Sequence, residues 1–252
     1  MNVGEGVATI TMDRPERLNA LNAEMKDQLL TFFQQCARDE AVRAVVLRGT
    51  DKAFCAGADI QTMSEPSISA GRQRLHAAHA IVRAICHLEK PVIAAVAGAA
   101  VGIGWSLALA CDIILATPAA RFGQVFKKVG LAPDGGSVFL LSQYVGVLRA
   151  KELTMTARIV SGEEAMRLGL VTELVAVEDI HDRAQSLARE MAASAGLALG
   201  MTKRLFLAAS GSDLDRFLEF ESHVQNQLIQ TRDHAEGVQA FLHKRTPVFK
   251  NH

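Results

Sequence analysis

Aromatic side chains are scarce in this chain: one Trp and one Tyr among 252 residues, with 11 Phe. No stacking platform for bases is available, and the basic residues are scattered rather than gathered on one stretch. Neither sign of charge is in excess, since 27 Lys and Arg balance 27 Asp and Glu. A neutral balance gives no electrostatic reason for a nucleic acid or a membrane surface as partner, and neither is expected. Cysteine is limited to positions 36, 55, 86 and 111, far apart, in apolar surroundings and without a CxxC pair. Reduced, buried thiols are therefore expected rather than disulfides or zinc. Long unbroken apolar runs are missing too. The longest, around 92–111, is interrupted by glycines and Ser106 and stops at Asp112, which argues against a spanning helix. The start has no basic-then-apolar pattern, and a soluble, cytoplasmic protein is expected. There is no fixed-period repeat and no low-complexity linker. The length suits one large domain, or a core with a small appendage.

What is present centres on Lys90 to Asp112, KPVIAAVAGAAVGIGWSLALACD. A short buried strand is expected at Val92 to Val96. Small residues and Gly102-Ile103-Gly104 follow, and then a helical segment from Trp105. Glycines at such a junction allow close approach and unusual backbone angles. A helix start offers unpaired N–H groups and the positive end of a dipole. The stretch therefore reads as a strand delivering backbone donors to developing negative charge. It reads equally as a tight small-residue crossing.

Elsewhere, GVATITM (6–12) alternates like a strand. Asn22 is placed to cap a helix to about Asp39, with Met25, Leu29, Phe32 and Phe33 on one face. Ala44 to Leu47 is a short apolar strand. Phe54-Cys55-Ala56-Gly57-Ala58-Asp59-Ile60 is a second small-residue loop after a strand, which suggests one site lined by backbone from both loops. Residues 62–72 are polar, contain Gly, Ser and Pro, and are expected to be mobile. A helix at about 73–88 carries His76 and His79, three apart; no carboxylate stands at a metal-site spacing, and no metal is expected. Ile113 to Ala116 is a strand, Arg121 to Gln124 a short strand or turn, and Lys127 to Asp134 a loop before a helix at Val138 to Tyr144. Ser161-x-x-Glu164 is a capping box whose helix stops at Gly169. A strand follows at Val171 to Val175. From Asp179 the pattern is helical, with Phe217, Phe220, Val224 and Leu228 as a buried stripe and Asp233-x-x-Glu236 as a cap-like start. Strands alternating with helices, then a helical tail, predict an α/β fold with a helical C-terminal region.

Six segments, GVATITMDRPERLNALN, FCAGADI, KPVIAAVAGAAVGIGWSLALACD, FGQVFKKVGLAPDGG, SGEEAMRLGLV and EGVQAFLHKRTPVF, together resemble the crotonase superfamily, the enoyl-CoA hydratase/isomerase family. The resemblance implies a crotonase-like spiral of ββα units over 1–195. It also implies a C-terminal helical region over 196–252 that assembles a homotrimer or a dimer of trimers. The implied substrate is an acyl-CoA thioester, with CoA part of the substrate and no separate cofactor. Matching motifs place the two oxyanion-hole donors at Ala58 and Ile103. Ala56, Gly57, Asp59, Ile60 and Gln61 fall on the CoA side, and Gly102, Gly104 and Phe126 also line the site. Relatives usually have more residues before GVATI, so the first strand pair is expected to be short.

The resemblance also implies where hydratases of the family carry two glutamates. Here those positions hold Ser106 and Phe126, which cannot activate a water. Asp134, in GLAPDGG, is left as a single acid. It suits a proton shuttle from C2 to C4 that moves the double bond of a 3-enoyl-CoA to the 2-position. Leu131, Val138 and Phe126 are expected to desolvate it and raise its pKa. Pro133-Asp134-Gly135-Gly136 is also a good turn-and-cap sequence. The alternatives are ring isomerisation of an aromatic-derived CoA ester, a hydrolytic or dehalogenating step, weak enoyl-CoA hydration, or a non-catalytic acyl-CoA-binding partner. Lys244, Arg245 and Lys250 read either as CoA-phosphate contacts or as a solvated basic tail.

Overall fold

In the computed structural model of the chain, residues 1–63 and 67–251 are described. Two sheets meet to form the core. The larger has six strands in the order β1 (Asn2–Gly4), β2 (Val7–Thr11), β3 (Ala44–Arg48), β5 (Val92–Val96), β7 (Ile113–Ala116) and β10 (Glu173–Leu174). The smaller has four: β4 (Ala53–Cys55), β6 (Ala99–Val101), β8 (Arg121–Gly123) and β9 (Val160–Ser161). The chain visits the large sheet, then the small one, then a helix. It does so with β3, β4 and α2 (Ile68–His87), with β5, β6 and α3 (Ile103–Ala110), and with β7, β8 and α4 (Ser137–Thr156). Successive turns lie parallel in both sheets. This is the expected spiral of ββα units.

The first strand pair is indeed short. Asn2–Gly4 pairs antiparallel with β2 in simple register. Glu5 and Gly6 both take positive φ to close a two-residue hairpin, the geometry that matches strand twist.

Both faces of the large sheet are covered, which is why β5 and all of β3 before Arg48 are apolar and show no alternation. Val45 and Leu47 join the main core beneath α1 (Ala23–Arg38) and α2. Ala44 and Val46 face the other way, onto Ile180, Ala184, Ala188 and Ala192 of α6 (Ile180–Ala192). Asn22 caps α1, accepting from the Met25 N–H at 2.8 Å. The Ser161 Oγ caps α5 (Gly162–Arg167) through the Glu164 N–H. Glu164 itself completes no capping box and pairs with Arg158 instead.

Several expectations shift. Helix α2 starts at Ile68, capped by Ser67, so 68–72 are helical rather than a mobile loop; residues 64–66 of that stretch lie outside the described residues. Helix α4 runs well past Tyr144 but breaks at Gly146. The last helices are α7 (Gly196–Ala209), α8 (Leu214–Leu228) and α9 (Arg232–Leu242). Of the stripe on α8 only Val224 is fully buried; Phe217, Phe220 and Leu228 are half-buried. Thr231, not Asp233, caps α9. Asp233 is buried and accepts from the N–H groups of Lys250 and Asn251. Arg245 is held by both oxygens of Glu236, whose carboxyl falls to about 2 with that guanidinium beside it. Arg245 is thus part of the tail's own fastening.

Asn19 joins the first loop to the second sheet. It is fully buried in a left-handed conformation, accepts from the Arg14 N–H and donates to the Ala53 carbonyl at 2.7 Å. Asn19→Ala leaves the Arg14 N–H without its partner and sets an alanine in a left-handed conformation, while the Ala53 carbonyl keeps the Thr50 N–H. A loss of about 2–3 kcal/mol is expected, read as a lower denaturant midpoint.

Candidate active site

The site forms where the ends of β4 and β6 deliver their loops to the start of α3. After β4 the chain runs extended beside Leu21. The Leu21 N–H donates to the Gly57 carbonyl at 2.8 Å, and the Asp59 N–H donates back to the Leu21 carbonyl at 3.0 Å. Ala58 lies between them in this parallel bridge. Alternate N–H groups of an extended segment point to opposite sides, so the Ala58 N–H faces away from Leu21.

That direction leads toward the second loop. Gly57 and Gly102 are packed face to face: a Cβ on Gly102 would stand 4.0 Å from the Gly57 Cα, and a Cβ on Gly57 would stand 3.1 Å from the Val101 carbonyl. Gly102 has φ 55 and ψ −125, which a side chain would resist. From it α3 begins. The Trp105 and Ser106 N–H groups close onto the Gly102 carbonyl. As first residue of the helix, Ile103 has no carbonyl four residues back within it. Its N–H and that of Ala58 are two backbone donors on adjoining loops. Gly104 lets α3 sit so close: a Cβ there would come within 2.1 Å of the Cys55 carbonyl oxygen.

Phe126 is buried, its ring 3.6 Å from where a Gly102 Cβ would lie. It roofs the junction with an apolar face. Ser106, also buried, directs its hydroxyl at the carbonyls of Gly102 and Asp134, at 3.3 and 3.2 Å. The turn bearing Asp134 rests directly on α3, since a Cβ on Gly135 would lie 2.2 Å from the Ile103 Cδ1 and 3.0 Å from the Ser106 Cβ.

The Asp134 side chain does not cap α4. Gly136 is the N-cap and no side chain serves it; the Ser137 N–H meets the Asp134 backbone carbonyl instead. One carboxylate oxygen, Oδ1, is buried without a partner. Burial pushes the Asp134 carboxyl up, while His79 and Lys26 pull it partly back. Of the side chains expected to desolvate it, Phe126 is buried, and Leu131 and Val138 are about half-exposed. Val82 of α2 comes within 3.9 Å of a Cβ placed on Gly136, on the same turn.

The loop expected to meet CoA divides. The Ala56 N–H donates to the Leu18 carbonyl, as that of Asp59 does to Leu21, which takes both N–H groups out of ligand binding. The Asp59 carboxylate accepts from Arg14 at 2.7 Å, and this guanidinium holds it below the usual carboxylate range. Ile60 and Gln61 are exposed. Lys26 was not anticipated: it is only 8% exposed on α1. Its signal in the sequence is its place three residues before Leu29 and seven before Phe33. Among the described residues no group of His, Cys, Asp and Glu could hold a metal, and no helix is long and apolar enough to cross a membrane.

Comparison with known proteins identifies the family. The sequence profile described as Enoyl-CoA hydratase/isomerase matches residues 2–252. The 1,2-epoxyphenylacetyl-CoA isomerase of Escherichia coli is 38% identical, over 98% of this chain and 96% of that protein. The short-chain-enoyl-CoA hydratase of Clostridium acetobutylicum is 36% identical, over 95% and 92%. Among solved structures, an enoyl-CoA hydratase from Bacillus anthracis superposes with a TM-score of 0.94 at 32% identity, covering 98% of this chain and 96% of that one. An enoyl-CoA hydratase from Mycobacterium smegmatis does so at 0.93 and 35%, covering 99% and 97%. With paired strand-to-glycine loops, the ββα spiral and a match along the whole length, the chain is an enzyme of the enoyl-CoA hydratase/isomerase family.

Proposed function

We propose that the chain isomerises enoyl-CoA thioesters, moving a double bond from the 3- to the 2-position. The Asp134 carboxylate takes a proton from C2. The C2–H electron pair forms a C1=C2 bond and the carbonyl pair moves onto oxygen, giving a dienolate whose oxygen is met by the N–H groups of Ala58 and Ile103 and whose collapse shifts the double bond from C3=C4 to C2=C3. The Asp134 carboxylic acid then returns the proton to C4. No electrons are gained or lost and no water is consumed. CoA is the carrier of the substrate, and the reaction needs no further cofactor.

The observation that carries this reading is the state of Asp134: a half-buried carboxylate with one oxygen unpartnered, capping nothing, on a turn seated against the helix that presents Ile103. Ser106 and Phe126, where the family's hydratases have glutamates, supply no second carboxylate. Ser106 anchors the turn instead. Ser106→Ala removes one neutral hydrogen bond, and less than about a tenfold loss of turnover is expected. The test of the reaction is a product scan with 3-enoyl-CoA and 2-enoyl-CoA supplied separately. Conversion of the 3-isomer without hydroxyacyl product is the expected result; hydroxyacyl-CoA as main product overturns it.

A second reading, isomerisation of a ring-bearing CoA ester, is favoured by the similarity to the 1,2-epoxyphenylacetyl-CoA isomerase of Escherichia coli. The same acid and donors serve it, and a ring-bearing ester in the product scan separates the two.

Assembly is part of the proposal. Phe206, Leu214, Phe241 and Leu242 on the last helices, and Leu148 on α4, are between 66% and 85% exposed. So large an apolar surface favours burial against other copies, and a homotrimer or a dimer of trimers is expected. Light scattering that returns the mass of a single chain rules this out.

A further inference from the structure

The peptide group that joins Gly57 to Ala58 carries one of the two donors, and the glycine beside it leaves that peptide free to turn over. Gly57 takes φ 108. A flip of the plane exchanges the directions of its C=O and N–H, and a glycine resists such a change little. What holds the plane lies on the loop before α1. The Leu21 N–H donates to the Gly57 carbonyl at 2.8 Å. In a trans peptide the C=O and N–H point in opposite directions, so this bond aims the Ala58 N–H away from Leu21.

The Leu21 N–H belongs to the peptide that joins it to Ala20, and the carbonyl of that peptide is held in turn. The Arg14 guanidinium donates to the Ala20 carbonyl at 3.0 Å through one nitrogen, Nη1. The same Nη1 donates to the Asp59 carboxylate at 2.7 Å. Asp59 follows Ala58. Its other oxygen accepts from the Gln61 N–H at 3.2 Å, and its own N–H returns to the Leu21 carbonyl at 3.0 Å. The bonds therefore run in one direction: guanidinium to Ala20 carbonyl, Leu21 N–H to Gly57 carbonyl, and out through the Ala58 N–H. Hydrogen bonds in such a chain polarise one another. A cation at the head draws electron density toward itself through both peptides and makes the last N–H a stronger donor. The side chain of Arg14 is 23% exposed and that of Asp59 8%, so water screens the head of the chain weakly. The contact of the Arg14 Nε with exposed Glu16, at 3.5 Å, is a solvated pair that adds little. A carboxylate one residue from the donor would by itself oppose negative charge on the thioester oxygen, and Arg14 offsets it.

We infer that Arg14 is a positioning residue for the oxyanion donor: through the Ala20–Leu21 and Gly57–Ala58 peptides it fixes and strengthens the Ala58 N–H. This rests on the proposed placement of the thioester oxygen at that N–H.

The decisive readout is spectroscopic and needs no turnover. A saturated acyl-CoA, isotope-labelled at the thioester carbonyl, is bound to the full-length protein and its C=O stretch is followed by infrared difference spectroscopy. Hydrogen bonds to the carbonyl oxygen lower that frequency, and the wild type is expected to lower it on binding. Arg14→Met should lose most of the shift. It should also lose about tenfold in kcat on a 3-enoyl-CoA, less than outright removal of a donor would. The Kd for the acyl-CoA should change less than about threefold, since the donor meets full charge only in the dienolate. Arg14→Lys should restore shift and kcat, because one nitrogen makes both contacts and an ammonium can stand in for it. Neutral Arg14→Gln should not, and these two variants decide the matter should Arg14→Met fail to fold. A folded Arg14→Met that keeps the wild-type shift and kcat overturns the inference. So does a loss confined to Kd and KM, which would assign the pair to fastening the 56–61 loop, and so does a lysine variant no better than the methionine one. A wild type whose carbonyl does not shift refutes the donor site and the relay with it. A shift that depends on Arg14 in a chain that isomerises nothing would refute the proposed reaction and leave the relay standing.

Discussion

Asp134→Asn lowers turnover of a 3-enoyl-CoA by about a thousandfold, the middle of the range for a positioned acid–base group, while KM changes little. The amide keeps the size of the carboxylate and loses its ability to carry a proton. The fold should not notice the change. The side chain caps no helix, and the Ser106 tether runs to the backbone carbonyl, which the substitution preserves. The pH dependence follows from burial, which raises the Asp134 carboxyl above its ordinary range. The base works ionised, so kcat/KM falls as pH drops through that raised value, and the acidic limb lies above the pH of an ordinary carboxylate. Stability runs in the opposite sense. A carboxyl whose folded pKa exceeds its unfolded pKa costs the folded state its stability as pH rises through that interval. The Asn variant escapes this cost, so at neutral pH it is expected to be at least as stable to denaturant as the wild type. Near-full activity in a folded Asn variant that still binds acyl-CoA would place the base elsewhere.

The parts of the fold that were readable in the sequence are those whose local chemistry and tertiary role agree. Asn22 and Ser161 cap as their side chains dictate. The strands Ala44–Arg48 (up to its closing arginine), Val92–Val96 and Ile113–Ala116 are apolar on both sides because a helix covers each face. The second sheet was largely hidden. Ala99–Val101 and Ala53–Cys55 are three residues each, too short to display a period. The small side chains of Ala99 and Ala100 look like a crossing rather than a strand. Yet this sheet brings Gly57 against Gly102, so the relation between the two donor loops is a tertiary fact with a family resemblance as its only sequence signal. Asp134 was balanced between base and cap until the position of Gly136 as the N-cap decided what the carboxylate does not do. Lys26 escaped notice because a charged residue on an amphipathic helix is read as solvent-facing. Only the packing of α1 shows it in line with Leu29 and Phe33. Arg245 was read as a free cation for the reverse reason: its partner, Glu236, sits nine positions away across a turn that the sequence does not reveal.

Ile103→Pro is the complementary experiment on the donor side, and it is expected to reduce turnover by about a hundred- to a thousandfold, the worth of one oxyanion-hole donor. A backbone N–H cannot be removed by trimming a side chain, but proline removes it outright. Ile103 is the first residue of α3, where proline is well tolerated because that N–H has no place in the helix ladder. The residue before a proline must avoid the helical region. Gly102 already does so: φ 55 and ψ −125 mirror an extended conformation, which only glycine takes readily. The substitution also deletes the contact of the Ile103 Cδ1 with the turn carrying Gly135. Ile103→Ala is therefore the control, losing that contact while keeping the N–H. The alanine variant should lose less than about tenfold if the side chain serves packing alone. The distinction lies in kcat. A donor that meets charge present only in the dienolate lowers kcat and kcat/KM together, whereas a packing fault that loosens the substrate raises KM. If a folded proline variant turned over substrate as well as the alanine one, the thioester oxygen would be held by something other than the start of α3. The pairing of that helix with the Ala58 loop would then be a device for close packing and nothing more.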